Sequence, residues 1–126
     1  MQEAGIRAFV GQLSMDISSR PTYREPSAQA ALDSAKTFVS DCRALVEHLP
    51  SHKRLVEPVL TPRFVPTCSE ELLCGLGRLA KEDGGVRIQS HMAESKDMVD
   101  LVKAERGVQD TEIFKRVSSS HEQRIL

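Results

Sequence analysis

The sequence predicts an α/β protein in which parallel strands alternate with helices, and three observations predict it. Short runs rich in apolar and β-branched residues occur at Ile6–Gly11, Leu55–Thr61 and Val86–His91. Longer stretches between them carry apolar residues at three- and four-residue steps, the period of a helix with one buried face. Proline and glycine fall between these blocks. Strand and helix taking turns implies parallel strands joined by right-handed crossovers, about three consecutive β/α units. The 126 residues suffice for one small domain. A closed eight-unit barrel takes about 250 residues. The chain therefore reads either as a small open α/β unit or as part of something larger.

The elements follow in order. Ile6–Gly11 reads as a buried strand closed by glycine, which Leu13 to Ile17 extends or follows with a second short strand. Ser18 to Pro26 is polar, holds two prolines and reads as a loop. Ser27 caps a helix whose stripe runs Ala28, Ala31, Leu32, Ala35, Phe38, Val39, Cys42, Leu45, Val46 and Leu49, with Pro50 as its stop. The stripe is alanine-rich and not a strict heptad, so it predicts a helix covering a sheet rather than a coiled coil. Leu55–Thr61 reads as the next strand, although Pro58 lacks the N–H a central ladder uses. Thr67 and Glu70 suggest a capping box for a helix with Leu72, Leu73, Leu76, Leu79 and Ala80 inward and Gly84–Gly85 at its end. Val86–His91 is the third strand. Ser95 caps a helix with Met98, Val99, Leu101 and Val102 partly buried and Gly107 closing it. Asp110 caps a last short helix through Thr111, Ile113, Phe114 and Val117. Residues 118–126 lack a usable period and read as an unstructured or divergent tail after a unit spanning 1–117.

Composition narrows function. The chain is 40% hydrophobic and 28% charged, with a net charge of −1. There is no basic stripe, no Trp and a single Tyr, so no nucleic-acid partner is expected. Met1–Gly5 carries no cationic region before an apolar run, and neither a signal peptide nor a membrane span is expected. Cys42, Cys68 and Cys74 are odd in number and include no C-x-x-C, which fits a reducing, cytoplasmic setting with cysteines as small buried residues.

The chemistry-bearing stretch is Ile88-Gln89-Ser90-His91-Met92-Ala93-Glu94-Ser95. It reads as strand, polar tip, helix, and β/α enzymes place their reacting groups at such tips. Alternation puts Gln89 and His91 on one face, Ile88 and Ser90 on the other. A neutral imidazole is a common zinc ligand, and a carboxylate just past the strand end can take a proton from water beside a metal. A lone His-x-x-Glu also arises by chance, and a catalytic zinc site ordinarily takes three protein ligands. Arg63 follows another strand end between Pro62 and Pro66, where a guanidinium can offer forked donors to a ligand or simply lie on the surface.

Two motifs read together carry a resemblance. Thr61-Pro62-Arg63-Phe64 ends one strand and Ile88-Gln89-Ser90-His91-Met92-Ala93-Glu94 ends the next. Gly5-Ile6-Arg7-Ala8-Phe9-Val10-Gly11 with Met15-Asp16 supplies the preceding strand. In this order the blocks resemble the guanine deaminase family of the zinc-dependent amidohydrolase superfamily, from about Glu3 to about Val117. The resemblance implies a partial (β/α)8 barrel, roughly its third to fifth units. It implies zinc at the C-terminal mouth and water attacking C2 of guanine, releasing ammonia and leaving xanthine. His91 is implied as a zinc ligand, Glu94 as the proton shuttle, Arg63 and Phe64 as purine contacts, and Gln89 and Ser90 as supporting residues. Such families also use a His-x-His pair, a further histidine and an aspartate that this chain does not present, so the zinc site is expected to be incomplete here. Full-length members are commonly homodimers. Two alternatives remain open: a non-catalytic α/β interaction fragment, and an amidohydrolase acting on another amino-purine or aromatic ring.

Overall fold

The computed structural model describes residues 1–82 and 84–118, with Ser118 described in its backbone only. The expected tail beyond Ser118 lies outside the described residues. Strand β1 is Ala8–Val10, β2 Leu13–Ser14, β3 Val56–Pro62 and β4 Arg87–Ile88. Helix α1 is Ala28–Ala44, α2 Glu70–Glu82, α3 Lys96–Arg106 and α4 Asp110–Ser118. All strand pairs are parallel, as the alternation of strands and helices requires. β3 is central. Ala8 faces Val56 and Leu13 faces Thr61, so β1 and β2 are two pieces of one edge strand in a single register. β4 lies on the other side, with Val59 facing Arg87 and Leu60 facing Ile88.

Pro58 sits in this central strand without breaking it. The Ala8 N–H donates to the Leu55 carbonyl and the Gln89 N–H to the Leu60 carbonyl. Odd-numbered residues of β3 therefore turn their backbone groups to β1 and β2, even-numbered ones to β4. The nitrogen of Pro58 points toward the β4 side before β4 begins at Arg87, where no ladder partner waits. Pro62 likewise has no N–H for the residue beyond Ile88, and β4 stops there.

The helices cover one face. Leu60, Val86 and Ile88 from the sheet meet Ala31, Ala35 and Val39 of α1 and Leu72, Leu73, Leu76 and Ala80 of α2 in one core. Burying each large side chain contributes about 1.5–3 kcal/mol. Ile113 and Phe114 bring α4 onto α2. Gly77 permits that approach: a Cβ there would stand 2.7 Å from the Val117 carbonyl oxygen. The opposite sheet face carries Phe9, 47% exposed, and Leu13, 52% exposed. On it the Arg87 guanidinium lies 4.8 Å from the Phe9 ring centre and 2.6 Å from the Glu57 carboxylate.

Several boundaries differ from the sequence reading. Helix α1 ends at Ala44 rather than near Pro50, and Leu45 is 74% exposed. The Arg54 side chain donates to the carbonyls of Leu49 and Glu47, closing the turn that follows. The cap of α2 is Ser69, not Thr67: its Oγ accepts from the Leu72 N–H at 3.1 Å, while the Thr67 hydroxyl donates to the Phe64 carbonyl. Ser27 and Ser95 cap α1 and α3 as expected, and Gly107 closes α3 at φ 71°. In α3 Val102 is buried but Leu101 is exposed. No described helix is long and apolar enough to cross a membrane.

Candidate active site

The candidate groups gather at the C-terminal end of β3 and β4, and backbone bonds bring them there. The Arg63 N–H donates to the Ser14 carbonyl at 3.1 Å, fastening the end of β3 to β2. The Arg63 carbonyl accepts from the His91 N–H at 3.2 Å and from the Ser90 hydroxyl at 3.3 Å. Arg63 and His91, apart in sequence, thus meet through their main chains. Gln89 is tied one step earlier to Leu60 at 2.9 Å. It alternates with buried Ile88, so its side chain leaves the helix-covered face.

The Arg63 side chain is half-buried. Its guanidinium carbon lies 4.9 Å from the centre of the Phe64 ring, and Nη1 donates to the Met15 sulfur at 3.7 Å. Beside it opens a cavity of about 330 Å3 whose walls include Leu13, Met15, Tyr23 and Glu25. The loop carrying Tyr23 is held over this cavity by the Glu25 N–H, which donates to the Met15 carbonyl at 2.8 Å. A hollow of about 450 Å3 opens instead at the starting end of the strands, near Arg54, Glu57 and Gly85, away from His91.

His91 and Glu94 are exposed on a short loop. Three ties hold that loop: the Arg63 carbonyl at His91, the Ser95 cap at the start of α3, and a carboxylate at Ala93. Ala93 has φ 48°, a left-handed conformation that costs a residue with a Cβ about 1–2 kcal/mol. Its N–H donates to Oδ2 of Asp110 at 3.0 Å. The sequence reading gave Asp110 the role of helix cap. The structure turns its buried carboxylate to the site loop instead and, among the described residues, leaves Oδ1 without a hydrogen-bond partner.

Deeper supports were equally hidden from the sequence. The Ser69 N–H donates to Asp16 Oδ1 at 2.8 Å and the Ser69 hydroxyl to Asp16 Oδ2 at 2.5 Å, locking the end of the edge strand onto the start of α2. Arg106 Nη2 donates to the Cys68 carbonyl at 2.8 Å, linking α3 to the turn after Arg63. Cys68 is fully buried, and burial pushes its thiol up to about 11. Residue type marks such polar groups as candidates, but spacing does not announce partners this distant.

Among the described residues, no hydrogen bond or ion pair joins the side chains of Arg63, His91 and Glu94 to one another. No group of three or more His, Cys, Asp or Glu side chains there gathers to hold a metal ion. His48 and His52 are exposed beyond the end of α1. An exposed imidazole with a carboxylate three residues on suits one metal ligand and one proton acceptor. The other ligands of a three-ligand zinc site would come from outside these residues.

A parallel β/α layer with its polar groups at the carboxyl ends of the strands is the architecture of one sector of a β/α-barrel wall. The amidohydrolase family model matches residues 1–125, and the chain belongs to the amidohydrolase family. It is 36% identical to the guanine deaminase of Dictyostelium discoideum, over 100% of this chain and 27% of that protein. Its backbone matches the crystal structure of guanine deaminase from C. acetobutylicum, which has guanine bound in the active site, with a TM-score of 0.82 at 26% identity, over 98% of this chain and 28% of that one. Atrazine chlorohydrolase TrzN from Arthrobacter aurescens TC1, solved in complex with zinc, shares the fold with a TM-score of 0.68 at 19% identity, over 92% and 25%. The chain spans about a quarter of the length of these relatives.

Proposed function

We propose that this chain is a segment of a guanine deaminase, supplying part of the purine site and one side of the metal centre. The reading rests above all on the bond from the His91 N–H to the Arg63 carbonyl, which puts the two motifs at one rim. Guanine is the substrate, and xanthine and ammonia are the products. His91 contributes one zinc ligand. Zinc, when bound, supplies a Lewis acid that makes water nucleophilic at neutral pH. Glu94 accepts one proton of the attacking water and delivers it to the ring nitrogen beside C2, then carries the remaining hydroxyl proton to the amine, which leaves as ammonia when the C2–N bond breaks and the C2 carbonyl forms. Arg63 donates to the purine, with the Phe64 ring as a packing surface, and Gln89 supports the pocket from the neighbouring strand. Cytoplasmic location and pairing into homodimers belong to the same proposal.

Replacing the matching segment of the Dictyostelium discoideum enzyme with this chain tests the reading. The chimera is expected to convert guanine to xanthine in a zinc-dependent manner and to lose activity with Glu94→Gln or His91→Ala. A folded, zinc-loaded chimera inert toward guanine would reject the assignment, and activity on another amino-purine would move it to the second substrate class. The 126-residue chain alone is expected not to deaminate guanine. Zinc-dependent ammonia release by the purified chain, lost on His91→Ala, would contradict this.

A second reading is favoured by the sheet face that the helices leave uncovered, where Phe9 and Leu13 of the edge strand are exposed. It makes the chain a non-catalytic module that other polypeptide completes by strand addition. Co-expression with a full-length relative separates the two: co-purification with altered activity supports the module.

A further inference from the structure

We infer that Asp110 is a positioning residue for the loop that carries His91 and Glu94. This deepens, and rests on, the deaminase reading of that loop. Asp110 begins α4, and its residue is only 5% exposed. α4 is held to the core by Ile113 and Phe114, so the carboxylate is fixed by packing and not by its own loop. From there Oδ2 accepts the Ala93 N–H at 3.0 Å. Ala93 lies between His91 and Glu94 and adopts φ 48°, which a residue with a Cβ seldom takes without outside support. The bond holds the backbone in the left-handed turn between His91 and Glu94. A carboxylate is the strongest acceptor available to one amide, and a buried one has no water competing for it. Helix α4 thereby sets the separation of the metal-ligand candidate and the proton shuttle, although it touches neither side chain in the bonds described.

Amide exchange in the full chain, resolved by NMR, provides the test. Asp110→Ala is expected to speed exchange at Ala93 by about tenfold or more, leaving the amides of Leu60 and Ile88 unchanged. Asp110→Asn, which keeps an acceptor oxygen, recovers most of the protection. In the chimera, Asp110→Ala lowers kcat by about tenfold to a hundredfold with less change in KM, and Asp110→Asn restores part of it. Unchanged Ala93 exchange in Asp110→Ala, or a uniform loss over loop and core, overturns the role of Asp110 whatever the chimera does. An inactive parent chimera with selective loss at Ala93 counts against the deaminase reading alone.

Discussion

Gly11→Ala probes the seam between the two pieces of the edge strand. A Cβ at Gly11 would lie 2.0 Å from Thr61 Oγ1, 2.9 Å from the Val59 carbonyl oxygen and 3.0 Å from Val59 Cγ2. Ordinary contacts between such atoms are about 3.5–4.0 Å, so the hydroxyl must retreat by more than about 1 Å. Thr61 is 4% exposed and β-branched, which leaves it few rotamers to escape into. Overpacking of this kind costs about 1–3 kcal/mol. Loss of glycine's freedom in the unfolded chain returns about 0.4–1 kcal/mol. A net loss of about 1–2 kcal/mol follows, which moves a urea midpoint by about 1 M for a small domain. Circular dichroism in urea at micromolar protein measures it. The same substitution made in a Thr61→Ala background escapes the hydroxyl but still meets the Val59 carbonyl oxygen and Cγ2, and is expected to cost measurably less. Equal losses in the two backgrounds would refute the argument.

Two further perturbations test the supports beneath the site. Ser69→Ala removes a cap and the partner of the Asp16 carboxylate, so it is expected to cost more than Ser27→Ala, which removes a cap alone at about 1 kcal/mol; equal urea midpoints would contradict this. Cys68 binds its proton more tightly folded than unfolded, because burial lifts its thiol from 9.0 to about 11. The corresponding stability is full below pH 9.0, is lost as pH climbs to about 11, and amounts to roughly 3 kcal/mol. Cys68→Ala should flatten the decline in urea midpoint over that window, and an unaltered slope would reject the explanation.

The alternation of strands and helices, the parallel sheet and the two polar motifs at strand ends were legible in the sequence. Periodicity is local: Leu72, Leu73, Leu76 and Ala80 repeat as a helix face within a few turns and are buried as that pattern demands. Ser27, Ser95 and Gly107 act on neighbouring amides and carbonyls, so their roles were legible too. The meeting of Arg63 with His91 could be expected only through the motif resemblance, because a bond across strands depends on register. Tertiary structure alone decided that Pro58 is harmless, since that turns on which neighbour its missing N–H would have faced. It alone turned Asp110 from a helix cap into the anchor of Ala93, and joined Asp16 to Ser69. Those contacts link residues far apart along the chain, and their free energy exists only once the hydrophobic faces have closed and excluded water from the polar groups between them.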